Sequence, residues 1–221
     1  MRDAVQLGRI VLLPTTEAPH HTAHAGPSGG AEGNERLTAI TGTVLLVLFA
    51  AEGVTILQLR GLLYWHYFIG LLLTGPVCVK IGSTVYRFAR YYTRNADYVR
   101  KGPPAPLLRL LGPFVVLTSV GVVGTGVALG LVGSRTYAGL PLLFLHKASF
   151  VLWAGVMTIH VLAYLWRLPA LVGSDLPASR ARRAVTAVGG RGLRWSITVV
   201  GIAGGLAVAM AGAHLASNWS R

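Results

Sequence analysis

Five long apolar runs constrain this chain more than any other feature of its sequence. They cover Leu37 to Leu59, Leu62 to Tyr86, Leu107 to Val132, Leu142 to Trp166 and Trp195 to Ala216. Each is long enough to cross the hydrocarbon core of a bilayer, which takes about 20 predominantly apolar residues in a helix. A helix is required because lipid offers no partner for backbone N–H and C=O groups. Only 12% of the 221 residues are charged, against about 25% in an ordinary soluble domain. So few charges cannot coat a water-facing surface. The sequence therefore predicts an all-α transmembrane helical bundle with membrane lipid as its solvent.

The net charge of +13 could suggest nucleic acid, but the distribution of the charges excludes that reading. Arg87, Arg90, Arg94, Arg100, Lys101 and Arg109 lie between the second and third runs. Arg167, Arg180, Arg182, Arg183, Arg191 and Arg194 lie between the fourth and fifth. The two other connections hold only Arg60 and Arg135, with Lys147 just inside the fourth run. Basic loops mark the cytoplasmic side of a membrane protein. This asymmetry predicts a cytoplasmic N-terminus, an external C-terminus and a multi-pass chain in a bacterial plasma membrane. Trp65, Trp166, Trp195 and Trp219 fall near the ends of the runs, as interfacial tryptophans do.

The sequence divides into a disordered cytoplasmic tail (1–36), a four-helix core (37–167), a basic cytoplasmic loop (168–194) and a fifth helix with a short external tail (195–221). In the tail the longest apolar stretch, Ile10 to Leu13, is too short for a secretory signal. Its cluster of His20, His21 and His24 could bind a metal weakly, but a flexible segment gives it no fixed geometry. Pro103, Pro104 and Pro106 stiffen the entry to the third helix. The second helix is expected to continue beyond the membrane as an Arg- and Tyr-rich turn. The single cysteine, Cys78, excludes a disulfide framework and reads as a small buried hydrophobe.

Ionisable groups inside membrane segments are costly, and each is a functional hypothesis by default. His66 and Lys80 in the second run are 14 residues apart, as are His146 and His160 in the fourth. Fourteen residues make nearly four helical turns, so each pair shares a face and is separated by about 21 Å along the axis. Both helices run from outside to inside. His66 and His146 can therefore meet at one depth, and Lys80 and His160 at a second, inner depth. Two imidazoles facing each other at matched depth can supply the axial nitrogens of a haem buried in an apolar bundle. Gly42, Gly53, Gly112, Gly121, Gly124, Gly126 and Gly130, on the first and third helices, could let a flat ring approach the backbone.

This pattern resembles the four-helix di-haem core of the membrane cytochrome b superfamily, including the smaller bacterial cytochrome b subunits. The stretch from Leu145 through Lys147 to His160 and Val161 is similar to their ligand helix, and the resemblance covers about residues 37 to 167. The chain also resembles uncharacterised bacterial multipass membrane proteins, which imply no activity. The cytochrome resemblance implies an electron carrier with one haem b, or two, accepting electrons from quinol or a partner reductase. It makes His66 and His146 the outer ligand pair and His160 half of an inner pair. Lys80 stands where the pattern has histidine. Three outcomes are open there: ligation by a neutral Lys80, ligation by His160 alone, or no inner haem. In the last, the working expectation, Lys80 extends toward the cytoplasmic headgroups.

Other readings stand beside these. Glu52 could bond to a group of the second or fourth helix, take part in proton movement, or serve as a helix contact. Lys147 could pair with a haem propionate or lie at the interface, and His214 reads as interfacial. No nucleophile–base set, phosphate loop or Cys–His zinc spacing occurs, so catalysis without a redox cofactor has little support. The alternative function is a haem-free scaffold or transporter subunit whose Glu52, Lys80 and histidines form a buried polar network.

Overall fold

The computed structural model describes residues 29–102, 106–164, 172 and 189–219. The described residues form helices α1 (Gly30–Leu57), α2 (Leu59–Tyr92), α3 (Ala96–Lys101), α4 (Pro106–Val132), α5 (Leu142–Tyr164) and α6 (Arg191–Gly212), then a 3-10 helix, Ala213–Trp219. All except α3 and the 3-10 turn are long and apolar enough to cross a membrane. The all-α membrane bundle expected from the sequence is the fold observed. Large apolar side chains such as Val47, Leu117, Val151, Val200 and Met210 are exposed. In a chain of this composition they form the lipid-facing surface.

Helix α1 begins at Gly30, seven residues before the expected Leu37, so 30–36 are helical and not a disordered tail. Gly29 takes a left-handed conformation (φ 76°) at the helix entry. The polar first turns then pair with other parts of the chain. Glu32 bonds Arg36 at 2.9 Å, Asn34 donates to the Ser83 carbonyl at 3.0 Å, and the Tyr98 hydroxyl donates to the Gly30 carbonyl at 3.3 Å. Lys101 pairs with Glu35. Hydropathy cannot register this extension because its contacts are hydrogen bonds. His20, His21 and His24 lie outside the described residues, as do Pro103, Pro104, Trp166, Arg167, Arg180, Arg182 and Arg183.

Two antiparallel hairpins organise the bundle. Helices α1 and α2 turn at the single residue Gln58 and pack through Leu45, Leu73 and Val77. Helix α2 has 34 residues, about 51 Å at 1.5 Å per residue. That exceeds a hydrocarbon core of about 30 Å, so its Arg- and Tyr-rich end projects, as expected. Helices α4 and α5 are joined by a tight loop in which Tyr137 and Leu140 exchange backbone hydrogen bonds. They are tied by Trp153 Nε1 donating to Ser119 Oγ at 3.1 Å and by Thr125 and Ser149 hydroxyls 3.2 Å apart. The hairpins meet through α2 and α4.

Helix α6 begins at Arg191, ahead of the expected Trp195, and packs closely on α2 and more lightly on α1. It is an integral wall of the bundle, seated where Gly75, Gly201 and Gly205 bring two backbones together. Close approach through small residues is how helices associate in lipid. Cys78 is exposed on α2, which corrects its reading as a buried hydrophobe. An outward position in lipid suits a small apolar side chain as well as a core does.

Candidate functional site

His66 on α2 and His146 on α5 face each other across the gap between the hairpins. Their ring centres are 6.3 Å apart, with planes at 76°. The bundle brings the two rings together as the sequence anticipated. Each ring is held at Nδ1. His66 Nδ1 lies 3.0 Å from Glu52 Oε1 and 3.0 Å from Thr55 Oγ1, both on α1. His146 Nδ1 lies 3.1 Å from Thr125 Oγ1 on α4. With Nδ1 occupied in both rings, Nε2 is the nitrogen left for a ligand. Ligating histidines characteristically have such a hydrogen bond at the far ring nitrogen, which fixes ring orientation and tautomer.

The histidines border an apolar cavity of about 330 Å³ whose walls include Phe49, Gly53, Gly126 and Trp153. Phe49 and Trp153 meet at 4.6 Å between ring centres, joining α1 to α5 at one edge of it. Of the glycines singled out in the sequence, Gly53 and Gly126 line this space. A Cβ on Gly53 would meet nothing within 4 Å, and one on Gly126 would sit 3.1 Å from His146 Cε1. Gly130 packs under the Tyr67 ring, Gly42 against Lys80, and Gly121 near Ser149. Gly112 and Gly124 adjoin open space.

The separation of the two ring centres matches that of two imidazoles in line on one metal. A metal–imidazole nitrogen bond is about 2 Å, so two in line place the ring centres roughly 6 Å apart. Among the described residues no three His, Cys, Asp or Glu side chains converge as a metal-binding group. Two histidines alone suit a metal whose equatorial positions are filled by a macrocycle. The apolar, aromatic walls suit the faces of such a ring.

The inner level is different. Lys80 Nζ donates to the Thr38 carbonyl at 2.7 Å and lies 3.1 Å from where a Cβ of Gly42 would be. The ammonium therefore turns into α1, which corrects the expectation that it extends toward the headgroups. His160 on α5 is half-buried, and the Lys80 nitrogen is committed to a backbone carbonyl. Lys147 and His214 are exposed.

Sequence reasoning identified His66, His146 and Glu52. It did not identify Thr55 or Thr125 as histidine anchors, nor Trp153 as a cavity wall. A threonine three residues after Glu52, and one at the centre of a glycine-rich helix facing His146, carry no signal without the tertiary fold. No family model, curated protein or solved structure matches the chain.

Proposed function

We propose that this chain is an integral membrane b-type cytochrome-like electron carrier, with one haem held between α2 and α5 by His66 and His146. The observation that carries the reading is the pair of imidazoles 6.3 Å apart, each fixed at Nδ1 by a partner on a third helix. A bound haem supplies one-electron chemistry, while the protein supplies axial ligands, orientation and burial. His66 and His146 would hold the group through Nε2. Glu52, Thr55 and Thr125 would keep those nitrogens aimed. Phe49 and Trp153 would keep water from the ring faces.

The reading extends to placement. Arg87 and Arg90 sit toward the end of α2, Arg94 lies just past it, and Arg191 and Arg194 begin α6. Gly201 of α6 lies beside Gly75, and Gly205 beside Leu72. The two helices are therefore antiparallel, and these arginines share one end of the bundle. By the positive-inside rule that end is cytoplasmic, in a bacterial plasma membrane, with quinol or a membrane reductase as electron donor. Anionic lipid would suit the same basic end.

A second reading has a specific observation in its favour. The 3.0 Å contact between Glu52 and His66 could serve as a helix-linking polar bond in a haem-free scaffold or transporter subunit. The deciding experiment is a reduced-minus-oxidised absorption spectrum of the purified protein, with haem quantified per chain. It is repeated for His66→Ala and His146→Ala. The cytochrome reading expects a sharp low-spin b-type signal that both substitutions abolish. A colourless protein from haem-replete cells would leave the polar-network reading.

A further inference from the structure

The two candidate ligands are anchored unequally. Thr125, the partner of His146, is neutral and is itself bonded to Ser149. The partner of His66 is a carboxyl group, and the surroundings of that group are specific. The Thr55 hydroxyl donates to the Glu52 carbonyl at 2.6 Å and reaches His66 Nδ1 at 3.0 Å, so Glu52 Oε1 and Thr55 Oγ1 converge on one ring nitrogen. Gly70 lies one turn after His66. A Cβ there would stand 3.5 Å from Glu52 Oε1, so a larger side chain would intrude on the carboxyl group. Glu52 borders the cavity, and its Oε2 is buried with no hydrogen-bond partner among the described residues.

A carboxylate at membrane depth needs positive charge close by. Glu32, Glu35 and Asp97 each pair with an arginine or lysine. Among the described residues, Glu52 pairs with the imidazole of His66 and with no arginine or lysine. A metal cation on the far nitrogen of that ring would supply the missing charge. A carboxylate hydrogen-bonded to a ligating histidine also raises the basicity of the ligand. Both effects favour the higher charge state of the metal.

We infer that Glu52 is a positioning residue that makes the two axial ligands unequal. It aims His66 at His146, and its negative charge lowers the reduction potential of iron held between them. The inference rests on the haem reading, and the test separates the two. Midpoint potentials are measured at one fixed pH on haem-loaded wild type, Glu52→Gln, Glu52→Asp and Thr125→Val, with haem content recorded for each. Glu52→Gln keeps the shape and removes the charge. It is expected to retain the low-spin spectrum and to shift the midpoint to a more positive value. Glu52→Asp, which keeps the charge on a shorter arm, should shift it less, and Thr125→Val less than Glu52→Gln. Should Glu52→Gln fail to accumulate, Gly70→Val takes its place: its branched side chain would crowd the carboxylate, and a displaced carboxylate should raise the midpoint likewise. A coloured Glu52→Gln protein, or Gly70→Val in its stead, with the wild-type midpoint overturns the inference and leaves the haem reading intact. A colourless wild type overturns both.

Discussion

The backbone carbonyl of Gly201 in α6 occupies the place that a side chain on Gly75 of α2 would take. Gly205 repeats the relationship one turn on, against the Leu72 carbonyl. Adding even a methyl group at Gly75 must push the two helices apart. Overpacking of this kind costs about 1–3 kcal/mol. Gly75→Ala should therefore lower the apparent unfolding temperature of the detergent-purified protein. Gly82→Ala, on the same helix with nothing within 4 Å of its added carbon, should leave it unchanged. Equal melting of the two variants would show that this contact does not hold α6 in place.

Thr125 touches His146 through one hydroxyl, and valine has nearly the same shape without it. Loss of such a hydrogen-bond partner typically costs about 10–100-fold in metal affinity. On the proposed haem reading, Thr125→Val should weaken haem binding by about tenfold or more in a titration of haem-stripped protein. Ser149→Ala should weaken it less, because the Ser149 hydroxyl reaches Thr125 and not the ring nitrogen. Identical affinities for Thr125→Val and wild type would mean that packing alone orients His146.

The membrane helices were legible in the sequence because lipid demands a minimum run of apolar residues, and that demand is local. The meeting of His66 and His146 was legible for a related reason. Helical period and chain direction together fix depth, and the bundle had only to bring the faces together. What escaped the sequence depends on contacts between helices. The start of α1 at Gly30 is held by Asn34, Glu35 and Tyr98 reaching other segments, and hydropathy is blind to such bonds. Cys78 showed the opposite weakness, since an apolar residue looks the same whether it faces lipid or core. The direction of Lys80 was set by the gap at Gly42 and the Thr38 carbonyl, neither of which adjoins it in the chain.

Tyr98 anchors α3 to the start of α1, and its alkaline behaviour follows from its surroundings. Burial raises the hydroxyl pKa above the ordinary value of 10.0, and the neighbouring Tyr86 adds to the effect, while Arg90 opposes it. A raised value means the folded chain holds this proton more tightly than the unfolded chain does. The resulting stability is complete below the unfolded value and is lost as the pH climbs through the folded one. Above about pH 10 the wild-type unfolding temperature should fall more steeply than that of Tyr98→Phe, which has no proton to lose. Parallel profiles for the two proteins would place the alkaline sensitivity elsewhere.

On the proposed haem reading, the inner level bears on how many rings a chain would hold. Lys80 Nζ is bonded to the Thr38 carbonyl, in a place that a side chain on Gly42 would crowd. Around it, the Ser83 hydroxyl donates to the Lys80 carbonyl at 3.0 Å, and the Thr38 hydroxyl donates to Ser83 Oγ at 3.0 Å. The Lys80 and Thr38 bonds tie α1 to α2 at this depth and hold the ammonium on the α1 side. Lys80 is the α2 residue in register for an inner ligand, and its nitrogen is committed to Thr38. The expected stoichiometry is therefore one haem per chain. His160→Ala should retain that stoichiometry and the same low-spin spectrum, whereas His66→Ala should lose the haem altogether. Lys80→Met should also keep one haem but melt lower than wild type, because the Thr38 link is gone. A stoichiometry of two that falls to one in His160→Ala would show that the inner level opens to a second ring and that the lysine gives way to it.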